Sequence, residues 1–592
     1  MLVEVWAPRA SRVSVRISEA GEMESGPVWT AELHARAGGW YSADVIGAQP
    51  GRDYGFVLDG TGPLLPDPRS RRQPFGVHGP SRFYDARFDW TDSAWEGKAL
   101  PESVLYELHI GTFTPEGTFD AAVEKLENLV ELGVTHVELL PVNDFNGEWN
   151  WGYDGVLWYA VHEAYGGPDG LKRFVDACHN CGLAATLDVV YNHLGPSGNC
   201  LPEFGPYLKA GKSTWGDLVN LDGESSGPVR EYITANAEMW FSEFHFDGLR
   251  LDAVHALVDD SPTHILAELS TRTAVLSEEL GRPLVLIGES DLNDPVMVTP
   301  RSEGGYGLDA QWDDDVHHAL HALLTGERHA YYVDFGSLGV LAKVLTGAFL
   351  HDGTFSTFRG RVHGKPVDRH AVRGYRFVAY LQDHDQVGNR AAGDRLGALT
   401  SPALLKVGAV LLLTSPFTPM LWMGEEWAAS TPWPFFTSHP EPELARVTGE
   451  GRLAEFRDHG WNTAEMVDPQ DPAAFYGAKL RWEERTESGH GEMLALYREL
   501  LALRRAHHEL SDARLDLVTV DFDEDERWCV VHRGALSVIA NLGESPRLVA
   551  ARCTRILLAT APGCTLAEGG VLVPARSAVV VRDEESTDPP SG

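Results

Sequence analysis

From Val104 onward the chain falls into a repeating rhythm, and that rhythm limits the folds open to it. Eight short apolar runs recur: "VLYELHIGTF" (104–113), "HVELLPV" (136–142), "AATLDVV" (184–190), "FDGLRLDAV" (246–254), "PLVLIGE" (283–289), "LDAQW" (308–312), "FVAYLQDHD" (377–385) and "FTPMLWMGEEW" (417–427). Longer segments separate them. The first of these, "AAVEKLENLVELGV", is apolar at helical spacing and stops at Gly133. Strand–helix alternation implies parallel strands. Eight of them make a closed (β/α)8 barrel the economical expectation. An open doubly wound sheet is the alternative, but no GxGxxG follows the first run.

The flanks read differently. Residues 1 to about 90 alternate in short runs such as "VEVWAP", "VSVRI" and "DYGFVLDG" broken by Gly and Pro, the pattern of a β-sandwich. The Pro- and Arg-rich stretch 64–81 reads as an irregular connector. The last stretch, from 512, returns to short β runs, and the tail "EESTDPPSG" is expected to be disordered. The division is therefore 1–90, 91–511 and 512–592, within the three or four domains that the length suggests. Inside the barrel, the Gly-, Pro- and Ser-rich connection at about 194–228 is long enough to be functional or disordered.

Composition narrows the function. The chain has 49 basic and 86 acidic residues, a formal charge of −37. That argues against nucleic acid and anionic membranes as partners. No apolar run reaches membrane-spanning length, and the N-terminus lacks a basic-then-apolar signal, so a cytoplasmic location is expected. "CHNC" at 178–181 is a lone CxxC at a helix-to-strand junction and reads as incidental to structure.

Polar residues gather where a barrel keeps its active site, at the carboxyl ends of the strands. Asp188, Asn192 and His193 follow the third run, Arg250 and Asp252 lie in the fourth, Glu289 closes the fifth, and His384 and Asp385 close the seventh. Arg250 and Asp252 are two apart, so a strand places them on one face. A carboxylate fixed beside a guanidinium stays ionised, as a nucleophile must. Glu289 follows "PLVLIG", where desolvation favours the neutral, proton-donating form. One ionised and one protonated carboxyl, roughly 5 Å apart, are the pair a retaining glycosidase uses. A buried Arg250–Asp252 pair that only closes the barrel is the bland alternative.

At these residues the sequence resembles the α-amylase family of glycoside hydrolases, family 13. "DVVYNH", "GLRLDAVHA", "LIGES" and "DHD" occur in the family's order. The resemblance implies Asp252 as nucleophile, Glu289 as general acid/base and Asp385 as the third acid, which binds sugar hydroxyls. It implies that Arg250 orients Asp252, that His193 and His384 bind hydroxyls, and that Tyr153 stacks beneath the sugar at the cleavage site. Two positions depart from the common pattern: His255 and Ala256 stand where many members have Lys-His, and Asp383 stands where Asn is usual. Asn192 resembles a calcium ligand of amylases, but no remaining ligand set accompanies it, so no metal or other cofactor is expected.

Within the family, "VWAPRASRVSV", "DPRSRRQPFGVHGPS", "LDAQWDDDVHHALH" and above all "TPWPFFTSHPEPELARVTGEGRLAEF" (431–456) resemble members that act on malto-oligosyltrehalose. The implied reaction is hydrolysis of the α-1,4 bond beside the terminal trehalose. It implies α-1,4-glucans as substrate class and functional pairing with a malto-oligosyltrehalose synthase. Trp215, His255, Phe358 and Arg359 are the expected trehalose-side residues, with loop anchoring as the other role for Trp215 and Phe358. The N-terminal module resembles the carbohydrate-binding-like module of branching and debranching enzymes, with packing as the expected role of Trp6 and Trp29. A branching enzyme, and beyond it a non-catalytic amylase-like binding subunit, are the competing readings.

Overall fold

A computed structural model describes residues 1–458 and 466–583. The tail "EESTDPPSG" lies outside the described residues. Each of the eight apolar runs contains one barrel strand: β1 Leu105–Leu108, β2 His136–Leu139, β3 Ala184–Val189, β4 Gly248–Leu251, β5 Val285–Gly288, β6 Ala310–Trp312, β7 Phe377–Tyr380 and β8 Thr418–Trp422. They pair in parallel in sequence order, and β8 returns to β1 to close the barrel. Every residue of these strands is buried, which is why they read as continuous apolar runs rather than alternating ones.

The strands are shorter than the runs that contain them, and this matters for the site. β7 stops at Tyr380, and His384–Gly388 is a short helix. Asp383 caps it, its carboxylate accepting from the Gln386 N–H at 2.6 Å. His384 and Asp385 thus ride on a capped helical turn beyond the strand. The helix expected over "AAVEKLENLVEL" is two pieces, Phe119–Val123 and Leu126–Leu132. In the first turn of the second piece the Asn128 side-chain amide donates to the Lys125 carbonyl at 3.2 Å, competing with the helical ladder. Gly133 ends the second piece in the left-handed region, at φ 107°.

The 194–228 connection is partly ordered into regular structure. It forms a helical turn, Leu201–Phe204, and a hairpin of Leu208–Ser213 with Gly216–Val219. Trp215 sits at the hairpin tip. Its backbone N–H is held by the Ser213 hydroxyl at 3.1 Å.

The N-terminal module is built on antiparallel strands from Leu2 to Leu58, with Val28–Ala35 pairing to Val13–Ser18 and, at its end, to Trp40–Asp44. Val3, Val5, Val13, Val15, Ile17 and Phe56 fill its core. Trp6 is buried, edge-on to Tyr207 at 5.1 Å. Trp29 departs from the expected packing role: it is 44% exposed, with the Arg52 guanidinium 4.9 Å from its ring. The C-terminal part packs a five-stranded sheet against a three-stranded one through Val530, Ile539, Val549, Val571 and Val579. Cys178 is buried near the end of helix Gly167–Asn180, and Cys181 caps that helix in the open. Among the described residues no helix is long and apolar enough to cross a membrane.

Candidate active site

The site is organised by one buried cation. Arg250, near the carboxyl end of β4, is fully buried beneath three carboxylates. Its Nη1 donates to Asp188 Oδ2 at 2.7 Å and to Asp252 Oδ1 at 2.9 Å. Its Nη2 lies 2.8 Å from Glu289 Oε2, an ion pair whose angle falls outside hydrogen-bond geometry. Strand register explains the first contact, because Asp188 of β3 pairs directly with Arg250 of β4. The guanidinium also lies 4.3 Å from the Trp312 ring at the end of β6. Sequence pairs Arg250 with Asp252 alone; the fold gives it Asp188 and Glu289 as well.

Each catalytic candidate has a second anchor. Asn192 donates to Asp252 twice, to Oδ2 at 2.6 Å and to its main-chain carbonyl at 2.8 Å. That is the observed work of the residue whose motif resembles a calcium ligand. Among the described residues no group of three His, Cys, Asp or Glu side chains is placed to hold a metal. Ala253, next to Asp252, is held at φ 39°, in the left-handed region. Its N–H thereby donates to Glu289 Oε2 at 2.7 Å. Non-glycine residues in that region carry strain that sites often use. Both contacts of Glu289 fall on Oε2. Among the described residues none falls on Oε1.

Asp385 is the most open of the three acids, its side chain 38% exposed against 20% for Glu289 and 11% for Asp252. Asn389 donates to its Oδ1 at 3.1 Å, one helical turn on. Beside it, His384 is buried, with Nδ1 2.5 Å from Glu107 Oε1 and Nε2 2.9 Å from Tyr153 Oη. Tyr153 donates to Asp188 Oδ2 at 2.6 Å and lies nearly parallel to the His384 ring at 5.1 Å. His193 has protein partners at both nitrogens, Asn192 Oδ1 and the Tyr153 carbonyl.

Burial and charge sort the protonation states. Burial drives His384 down, but the charges of Glu107, Asp385 and Asp383 overcome it and raise it to about 10. Burial raises Asp188 to about 7, with Arg250 opposing and Asp252 adding to the rise. Burial, then the charge of Glu107, holds both Glu138 and Asp383 well above the carboxylate range. Asp383 therefore caps the helix with a carboxyl that burial and Glu107 both push toward its protonated form. Asp314, which accepts from the Tyr380 hydroxyl, is raised by burial to about 7.

The four residues expected on the trehalose side form one continuous group. Trp215 stacks on the His193 ring at 5.9 Å and meets His255 edge-on at 6.1 Å. His255 Nδ1 is 3.8 Å from Asp291 Oδ1, and Arg359 Nη1 donates to Asp291 Oδ2 at 2.9 Å. Phe358 is 45% exposed and rests edge-on against Tyr331 at 6.1 Å. Phe358, Arg359, Asp291 and Asp314 line a small cavity of about 40 Å³. Asp291, which links His255 to Arg359, carried no signal in sequence. Glu107 did carry one: an acid inside the apolar run "VLYELH", the same signal that marks Arg250.

Comparison with known proteins agrees with this geometry. Residues 80–204 match the family model described as the alpha amylase catalytic domain, and residues 513–580 match a Domain of unknown function (DUF3459). The chain is similar to malto-oligosyltrehalose trehalohydrolase of Rhizobium sp. (strain M-11), 52% identical over 584 residues that cover 98% of this chain and 97% of that one. It is 54% identical over 546 residues to the protein of the same name from Arthrobacter ramosus, covering 92% and 93% of the two chains. Among solved structures it is similar to one described as an alpha amylase from Salmonella typhimurium. That match has a TM-score of 0.88 at 38% identity and covers 98% of this chain and 97% of that one.

Proposed function

This chain belongs to the malto-oligosyltrehalose trehalohydrolase family, and on that premise we propose how its site performs the reaction. The protein is a glycoside hydrolase of the α-amylase family that cleaves the α-1,4-glucosidic bond beside the terminal trehalose of malto-oligosyltrehalose and releases trehalose. Asp252 attacks the anomeric carbon and forms a glycosyl ester. Glu289 protonates the departing oxygen through Oε1, then takes a proton from the water that hydrolyses the ester. Arg250 holds Asp252 in place. Asp385 binds the sugar's hydroxyls as the ring flattens toward the oxocarbenium-like state. Tyr153 and His384 form the floor, and His193 with Asn192 forms the wall that carries Asp252. The trehalose unit leaves past Trp215, His255, Phe358 and Arg359.

One observation carries the assignment. Asp252 and Glu289 extend from the carboxyl ends of adjacent strands onto one guanidinium. A silent barrel serving as a binding subunit would have no need of all three acids; this chain keeps them. A branching enzyme shares the same acids and differs in its acceptor, a glucan hydroxyl instead of water. Incubation with maltotriosyltrehalose decides between them: trehalose and maltotriose are expected, whereas longer or branched glucans would indicate a transferase.

The reading extends to functional pairing with a malto-oligosyltrehalose synthase, because a glucan ending in a non-reducing trehalose has to be made before it can be cleaved. It places the protein in the cytoplasm, supported by buried thiols such as Cys178 and Cys200. It divides the chain at about residues 90 and 511, where the β-rich flanks meet the barrel.

A further inference from the structure

Glu107 has no part in the cleavage chemistry above, yet it is the most committed acid in the barrel. It lies in β1, 1% exposed, paired with Trp422 of β8 and Glu138 of β2. Its Oε1 is 2.5 Å from His384 Nδ1, and its Oε2 accepts the His384 backbone N–H at 3.1 Å. One carboxylate thus grips both the ring and the main chain of the residue that precedes Asp385.

The hydrogen bonds fix the protons on that ring. Asp188 Oδ2 accepts from Arg250 Nη1, and the Tyr153 hydroxyl donates to the same oxygen. With its hydrogen committed, Tyr153 Oη can only accept from His384 Nε2. The Glu107 carboxylate accepts from Nδ1. Both ring nitrogens therefore donate, which only the imidazolium can do.

We propose that Glu107 is a positioning residue for glycoside cleavage: by gripping the ring and main chain of His384 it keeps that residue doubly protonated, with Nε2–H aimed at Tyr153 and the sugar, and sets Asp385 beside it. This rests on the site assignment above.

The surroundings support the reading. His384 faces Glu107 from β1, Glu138 from β2, Tyr153 and Trp151 from the loop after β2, Trp312 from β6, and Asp383 and Asp385 on its own turn. His109 is also near enough to feel its charge. Burial and the charge of Glu107 raise both Glu138 and Asp383 well above the carboxylate range. Glu107 is the acidic side chain in direct hydrogen-bond contact with the ring, while Asp385 stands 3.7 Å off. Fixing a hydroxyl-binding cation and the adjacent acid reduces the reorganisation that the transition state would otherwise require.

The test combines kinetics with direct observation of one ring. In the full chain labelled with [13Cε1]histidine, the His384 resonance is identified by its loss in His384→Gln. In the wild type it should stay at the imidazolium position from about pH 6 to about 8.5, where an ordinary histidine titrates. In Glu107→Gln it should titrate within that window. The same variant should lose roughly 10- to 100-fold in kcat on maltotriosyltrehalose with KM changed by less than about threefold, the expected cost of slight misplacement of reacting groups. A wild-type resonance that titrates near neutrality overturns the proposal, whether or not the variant folds. So does a folded Glu107→Gln with unchanged kcat, or one whose His384 resonance does not move. If Glu107→Gln behaves as expected but Asp252→Asn stays active, the positioning inference stands and the site assignment fails.

Discussion

Asp252 and Glu289 are held by the two terminal nitrogens of the same guanidinium, Nη1 of Arg250 at 2.9 Å from Asp252 and Nη2 at 2.8 Å from Glu289. The two contacts are not equivalent. The first is an aligned hydrogen bond; the second is close but misaligned. Alignment fixes the direction in which Asp252 points. Misalignment holds Glu289 close without fixing its orientation through that contact. A single buried arginine therefore sets the separation of the pair while treating its members differently.

Removing either acid should abolish turnover and spare binding. Glu289→Gln removes proton transfer and Asp252→Asn removes the covalent step, each expected to cost roughly 10³-fold or more in kcat. Substrate binding, followed by tryptophan fluorescence, should persist. More than about a tenth of wild-type activity in either variant would mean that the roles are misassigned.

Double displacement preserves configuration. The shortened malto-oligosaccharide should appear first as the α anomer and mutarotate later. Proton NMR in the first minutes of reaction reads this directly. Initial β anomer would rule out Asp252 as nucleophile.

Trp215 and Phe358 are both exposed at the mouth and linked through His255, Asp291 and Arg359. Stacking a sugar ring on either buries apolar C–H surface and fixes orientation. Trp215→Ala and Phe358→Ala should each lose about 1–3 kcal/mol of transition-state stabilisation on maltotriosyltrehalose, by the burial of one such side chain. The loss on maltopentaose should be smaller, because that chain cannot use a fit to the α,α-linkage. Equal losses in kcat/KM on both substrates would make these aromatics loop anchors.

Glu425 tests the electrostatics away from the cleft. It is buried after β8, bonded to the Tyr497 hydroxyl at 3.0 Å, and burial raises it to about 8. An acid whose folded value exceeds its unfolded value holds its proton more tightly when folded. Its stabilising contribution is full at low pH and is lost as pH rises from about 4.5 to about 8. Glu425→Gln should therefore gain stability relative to wild type across that window, by up to about 4 kcal/mol at its upper end. Urea denaturation at pH 5 and pH 8.5 measures it; a difference that does not grow with pH would show that Glu425 is ionised in the folded state.

Much of this was legible because it is local. Strands buried on both faces must be apolar throughout, and a crossover helix must be amphipathic, so the alternation from Val104 to Trp427 announces parallel strands whatever else the chain does. The polar residues that interrupt those runs stand out for the same reason. Strand ends were less legible: His384 and Asp385 read as the close of a strand, but Asp383 starts a helix there. An aspartate cap is a common residue, and only the turn geometry shows it at work. Trp29 misled because an aromatic in a β run is usually packed, and its neighbour across the sheet does not reveal that the outer face is open.

What the sequence alone determined was the set of parts: eight strands, three acids and the arginine. What only the tertiary structure decided was who touches whom. Glu107 and His384 are 277 positions apart, and Arg250 reaches Asp188 across 62. Those distances close only when β8 meets β1 and the register sets Asp188 opposite Arg250. Asp291 joins His255 to Arg359 through loops whose paths no periodicity encodes. Hydrophobic burial is written in composition along the chain, so it can be read residue by residue. A hydrogen bond depends on a distance of about 3 Å and an angle, and those exist only once the chain has folded.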